Sequence, residues 1–267
     1  MHSFYVSIAG FYFKIVFKKI TTDKSPLEFA RQRLMSEISY FLSSFVSASI
    51  PGRIDATIYF EDDPSIERVK RKIDNTSFVL QYKRKDDNIF VTNYHTSIAQ
   101  FSLLLEDLLN EFLLKNDGFG IHASANIINK KAYLFLGKSG AGKSTISTLL
   151  GKRFRILADD NIILRQIDGN YFVFQTPFYE KNIEIWKSPH AFPLSKIFFL
   201  HKGKSTYAKG IKNISTLKKL VRKQVLGFDD SSKDFFKDGK PQKIDYYNLW
   251  FTKKNNELFN FFARIDN

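Results

Sequence analysis

Eight consecutive residues, Gly137-Lys138-Ser139-Gly140-Ala141-Gly142-Lys143-Ser144, fit G-x-x-x-x-G-K-[ST] in full. Ahead of them Ala132 to Leu136 is a short apolar run of strand formers, and behind them Thr145 to Leu150 can wind as a helix that stops at Gly151. Strand, glycine-rich loop and helix are the context a phosphate-binding loop needs. Glycines at 137, 140 and 142 let the backbone adopt positive φ, so that successive N–H groups can point at phosphate oxygens. Lys143 would place a point charge on the β and γ phosphates and the Ser144 hydroxyl would sit on Mg²⁺. The start of the helix, through Thr145, adds its partial positive charge. The expected ligands are therefore a nucleotide's phosphates and Mg²⁺.

Composition narrows the remaining classes. With 267 residues, 43% hydrophobic and 25% charged, the chain is long enough for one large domain or two with a packed core. It has no cysteine, which excludes disulfides and thiolate chemistry, and its five histidines show no metal-ligand spacing. The net charge is +14, densest from Lys202 through Lys204, Lys209, Lys212, Lys218, Lys219 and Arg222 to Lys223. That stretch reads either as a solvated face or as a surface for an acidic partner. No zinc-finger spacing, aromatic RNP motif or heptad-backed basic region accompanies it, which argues against nucleic acid. Phe4 to Phe17 is too short for a membrane span and lacks a charged leader, so a cytoplasmic protein without a transmembrane segment is expected.

Along the chain, Phe4 to Phe17 predicts two strands joined at Ala9-Gly10. Ser25-Pro26-Leu27-Glu28 predicts a helix start, with an apolar stripe through Phe29, Leu34, Ile38, Phe41 and Leu42. Asp55 to Phe60 alternates like a strand, and Pro64 to Lys72 reads as a charged, exposed helix. Ser77 to Tyr82 and Asn88 to Tyr94 read as strands across a turn at Lys83 to Asp87. These make residues 1–100 a mixed α/β module, with a nucleotide-binding domain over 101–267. Phe101 to Leu114 predicts a buried helix. Asp229 to Gln242 reads as a loop. Tyr246 to Phe262 reads as an aromatic helix packing on the chain's own core, with contact in a homo-oligomer as the alternative.

Two further clusters bear on chemistry. Gly118 to Ala125 feeds a hairpin turning at Asn129-Lys130, which can bring His122 to the edge of the phosphate site. Downstream, Phe154 to Ala158 is a strand that ends in Asp159-Asp160. Carboxylates at the end of a strand beside a phosphate loop are placed for Mg²⁺ coordination or base catalysis. Neighbouring residues of an extended chain point to opposite sides, so the two should differ in role.

Ile121-His122-Ala123-Ser124, Tyr133 to Thr145 and Leu157-Ala158-Asp159-Asp160 together resemble the catalytic domain of HPr kinase/phosphorylase and its related kinases. Thr176-Pro177-Phe178 and Pro193 to Gly203 are similar to the smaller members. The resemblance covers roughly residues 118 to 225. It implies an α/β, HPr kinase/PEP carboxykinase-like nucleotide-binding fold, with ATP and Mg²⁺ as cosubstrates and a serine hydroxyl as acceptor. By the same resemblance Asp159 would be the general base, Asp160 and Ser144 would lie near the metal, and His122 and Lys143 would complete the catalytic set.

The chain departs from that family at Thr145, where the bifunctional members carry an acidic residue, and no C-terminal arginine signature is found. Another acceptor is therefore implied at least as well as HPr itself, and phosphorylase activity is not implied. The expected acceptor is a peptide, a protein or a small hydroxyl compound, with an acidic one matching the basic stretch. A GTPase would carry N-K-x-D and a transporter ATPase an L-S-G-G-Q signature, and neither is present. A nucleotide-binding regulatory or scaffold protein without transfer is the alternative from another class.

Overall fold

The computed structural model describes residues 2–20, 26–63, 65–66, 68–73, 76–180, 185–226, 244–253 and 255–265. The chain divides into two compact units, Met1–Phe112 and Leu113–Asn267. Contacts place the divide after Phe112, later than the expected 100/101, and both positions fall inside the helix over Ile98–Lys115.

In the first unit, β1 (His2–Ile8) and β2 (Phe11–Phe17) form a hairpin. Ala9 and Gly10 turn it with φ of 53° and 79°, the both-positive pattern that matches strand twist in a two-residue loop. Helix α1 (Pro26–Phe41) carries the chain to β3 (Ala56–Phe60), which pairs parallel to β2, since parallel neighbours need a crossover. β4 (Arg68–Ile73), β5 (Thr76–Asp86) and β6 (Ile89–Thr92) complete a sheet ordered β1-β2-β3-β6-β5-β4. The charged helix expected at Pro64 to Lys72 is instead strand β4, paired antiparallel with β5. Its Arg and Lys content suits an edge strand, where charge discourages pairing with another chain. β5 also runs on through Lys83 to Asp86, shortening the expected turn. Helix α2 (Ile98–Lys115) follows, and Phe101 stands beside Phe41 and Phe60 in an aromatic core.

Among the described residues the second unit has nine strands, in two layers that share β13. β7 (Gly118–His122), β8 (Ser124–Ile128) and β9 (Lys131–Leu136) lead into the glycine-rich loop and α3 (Lys143–Gly151). β10 (Arg155–Ala158), β11 (Asn161–Ile167), β12 (Asn170–Gln175) and the long β13 (Ala191–Lys202) follow. β14 (Tyr207–Gly210), α4 (Ile214–Arg222), β15 (Asp245–Phe251) and α5 (Asn255–Arg264) complete it. The main order is β10-β8-β9-β13-β12-β11-β7, and β15 pairs with both β13 and β14. β13 joins the layers, since Ala191 to Pro193 pair with β12 while Leu194 to Lys202 pair parallel with β9 and β15.

Ile121, Leu134, Leu164, Ile197, Leu217 and Val221 belong to one buried core. Tyr133, Ile146, Phe198, Leu258 and Phe262 belong to a second, where α3 and α5 cover the sheet. The single helix expected over Tyr246 to Phe262 is a strand followed by a helix. Tyr246, Tyr247, Trp250 and Phe251 are strand formers whose partners in β13 lie far away in sequence. Leu249, Leu258 and Phe262 do pack on the chain's own core. The loop expected at Asp229 to Gln242 lies outside the described residues. Among the described residues no helix is long and apolar enough to cross a membrane.

Candidate phosphate-binding site

Leu136 ends β9 in the core, and the chain then turns through Ser139 to Gly142 into α3. Gly142 has φ of 103°, and a Cβ there would meet the Phe251 ring at 2.8 Å. Gly140, with φ of 74°, faces open space, which leaves backbone free for a ligand to approach. Two buried side chains of β8 fix the helix that follows. Ser124 Oγ donates to Lys143 O at 2.9 Å, and Asn126 Nδ2 donates to Ser147 O at 3.2 Å. Lys143 is 7% exposed and its Nζ donates to Gly137 O at 2.9 Å, so the ammonium already bends over the loop.

His122, Ser139, Gly140, Gly142, Lys143, Ser144, Thr145 and Asp160 line one cavity of about 220 Å³. His122 arrives through β-pairing. It stands opposite Asn161 in the β7–β11 ladder, and Ala123 N donates to Asp160 O at 3.2 Å. The ring Nδ1 lies 3.0 Å from Asp160 Oδ1, an ion pair whenever the imidazole is protonated. On its other side His122 N donates to Gln224 O at 2.7 Å, and Ile121 bridges Val225. The segment following α4 therefore borders the strand that carries His122. Leu217 and Val221 bury one face of α4, and Lys219, Arg222 and Lys223 are exposed.

Asp159 is placed differently from its neighbour. It is 4% exposed, does not line the cavity, and its buried Oδ1 has no hydrogen-bond partner. An unpaired buried oxygen of this kind costs about 1–3 kcal/mol. Asp159 N and Asp160 N both donate to Glu180 Oε2 at 3.1 Å. Burial pushes the Glu180 carboxyl up from its ordinary range, against the attraction of Lys187 and the two N–H donors. Burial pushes the Lys187 ammonium down, against the attraction of Glu180. Glu180 was not singled out from the sequence. A lone Glu two residues past Thr176-Pro177-Phe178 carries no spacing that marks it, and only the fold brings it to Asp159.

The residues fit a nucleotide phosphate chain and a divalent ion. The loop's backbone is open at Gly140, Ser144 and Asp160 share the cavity, and the orphaned Asp159 oxygen is a carboxylate acceptor in need of a partner. Among the described residues no group of three His, Cys, Asp or Glu could hold a metal by itself. Mg²⁺ bound with phosphates takes only one or two carboxylates.

Residues 49–192, more than half of the chain, match the family described as phosphoenolpyruvate carboxykinase. No curated protein matches the chain. Among solved structures, the Hpr(Ser) kinase/phosphatase from Coxiella burnetii aligns at 15% identity over 53% of this chain and 90% of its own, with a TM-score of 0.32.

Proposed function

Because the chain belongs to the phosphoenolpyruvate carboxykinase family, we propose that it is an ATP- and Mg²⁺-dependent kinase that transfers the γ-phosphoryl group to a hydroxyl, a serine of a peptide or protein. Family membership accounts for the nucleotide fold and leaves the acceptor open. The observation that carries the proposal is the meeting of the phosphate loop, Lys143, His122 and Asp160 around one cavity, with Asp159 buried beside it.

In this reading the N–H groups from Gly137 to Thr145 and the Lys143 ammonium hold the phosphates. Ser144 and Asp160 would hold Mg²⁺, which would supply charge neutralisation to the phosphates. The acceptor oxygen attacks the γ phosphorus, the bond from that phosphorus to the β–γ bridging oxygen breaks, and ADP leaves. The hydroxyl proton passes to Asp159, whose unpartnered Oδ1 is the free acceptor. His122 orients Asp160 through the 3.0 Å contact. ATP supply and the lack of cysteine suit a cytoplasmic setting.

An acidic acceptor is supported by α4. Its exposed Lys219 and Arg222, with Lys223 just beyond it, lead directly into the segment hydrogen-bonded to His122. Acidic residues flanking the acceptor hydroxyl would be drawn to that face. The burial of Asp159 favours the second reading, a nucleotide-binding regulator without transfer, because a base must be reached by its substrate.

Incubation with γ-labelled ATP, Mg²⁺ and cell extract, followed by identification of the labelled species, separates the two. Label on a hydroxyl of a peptide or protein is expected. Tight ATP binding with no label above the protein-free control would establish the regulator reading.

A further inference from the structure

β10 is the edge strand of its layer, yet it ends in the two carboxylates that the proposed reaction requires to be held in place. An edge strand has one row of backbone groups without a strand partner, and buried backbone groups must be satisfied somehow. Here side chains of the last residue of β12 and of the segment after it satisfy them. Gln175 Nε2 donates to Leu157 O at 2.7 Å, and Glu180 Oε2 accepts from Asp159 N and Asp160 N at 3.1 Å each. Arg155 Nη2 donates across to Trp186 O at 3.4 Å.

The segment is itself tied down. Gln175 Nε2 also donates to Trp186 O at 3.1 Å, and its Oε1 accepts from Ser188 N at 3.0 Å. Lys187 Nζ donates to Thr176 O at 2.8 Å and to Phe178 O, and lies 3.9 Å from Glu180 Oε1. Glu180 is 5% exposed. A carboxylate with one oxygen on two consecutive N–H groups, and the other toward a half-buried ammonium, has little freedom to move.

We propose that Glu180 is the positioning residue of the site: by accepting both N–H groups of the Asp159-Asp160 turn, it sets where those two carboxylates stand relative to the phosphate loop. The inference rests on the kinase reading for its catalytic consequence, but the positioning itself does not. Glu180 does not line the cavity. It acts through the backbone, so its reach matters more than its charge. A displacement of about 1 Å at a reacting group can cost about 10²-fold in rate.

The test compares Glu180→Gln, which keeps the reach and loses the charge, with Glu180→Asp, which keeps the charge and is one methylene short. Two readouts are taken on the whole chain. Amide hydrogen exchange at Asp159 and Asp160 should stay slow in Glu180→Gln and speed up at least tenfold in Glu180→Asp, at a thermal midpoint that still leaves both variants folded. Transfer from γ-labelled ATP should keep its KM for ATP in both. Its kcat should fall tenfold or more in Glu180→Asp and stay within threefold of wild type in Glu180→Gln.

Unchanged exchange in Glu180→Asp overturns the positioning role whether or not the protein transfers phosphate. A wild type without transfer, combined with the expected exchange pattern, removes the kinase reading and leaves the clamp standing. An equal loss of kcat in both variants would make charge, not reach, the operative property and refute the proposal.

Discussion

Glu61 in the N-terminal unit lies between two lysines, with Lys85 Nζ 2.7 Å from Oε1 and Lys18 on the other oxygen. In the C-terminal unit, Asp159 keeps a buried oxygen with no partner and Glu180 leans on backbone N–H groups. The two carboxyls also shift in opposite directions. At Glu61 the push of burial is outweighed by Lys18 and Lys85, and the pKa falls. At Glu180 burial wins and the pKa rises. Charge near a surface that is met by opposite charge serves the fold, whereas a buried carboxylate oxygen left without a partner, as at Asp159, marks a site kept for a ligand or a proton.

The largest test of that contrast is Asp159→Asn. Asn keeps the shape and cannot take a proton, so transfer should fall by about 10² to 10⁴ while ATP stays bound. Asp160→Asn should instead weaken Mg²⁺ affinity. Near-normal transfer in Asp159→Asn, measured beside nucleotide affinity by calorimetry, would make the orphaned oxygen a structural defect and erase the contrast.

Lys143→Ala comes next. Removing a mostly buried ammonium from the phosphates should weaken ATP-Mg²⁺ binding by roughly 3 kcal/mol, by analogy with truncating one side of a buried charge pair. The thermal midpoint should show a folded protein. Unchanged affinity and turnover would sink the nucleotide-site reading.

The site was more legible in the sequence than the surroundings that hold it. The loop motif, His122 and Asp159-Asp160 are short-range patterns, and the structure brings His122 and Asp160 to the loop. The hairpin at Ala9-Gly10 and the turn at Asn129-Lys130 were legible because strand formers flank them and Gly10 and Asn129 tolerate the positive φ they adopt, whereas Ala9 and Lys130 adopt it without a sequence signal. β4 was misread because a charged run looks like a solvated helix until its partner β5 is known. β15 was misread for the same reason, since an aromatic run fits either state and β13 decides it. Glu180 was invisible because its partners are backbone groups, which carry no sequence signature at all.

A smaller effect is expected at α4. Replacing Lys218, Lys219, Arg222 and Lys223 by Gln should raise the KM of an acidic acceptor and flatten its salt dependence, leaving ATP affinity unchanged. Identical kinetics at low salt would return that face to solvent and place it with the N-terminal unit's charges.

The smallest is the pH dependence of Glu61. Its folded pKa is lowered, so its stabilisation is complete above the ordinary carboxylate range and is lost as pH falls through the lowered value. Denaturation of wild type against Glu61→Gln should show a gap of about 1 kcal/mol or less at neutral pH that closes in acid. A gap independent of pH would mean the lysines do not hold that carboxylate down.

The wall behind the phosphate loop has a consequence for synthesis. Phe251, which stands against Gly142, and β15, which flanks β13, leave the ribosome long after the loop itself. Chains are made from the N-terminus and domains fold as units, so a nascent chain holds every residue of the loop before it holds the ring that backs it. Competence to bind nucleotide should therefore arrive late in translation. A product cut short after residue 226 would carry every residue of the phosphate motif and still lack that backing.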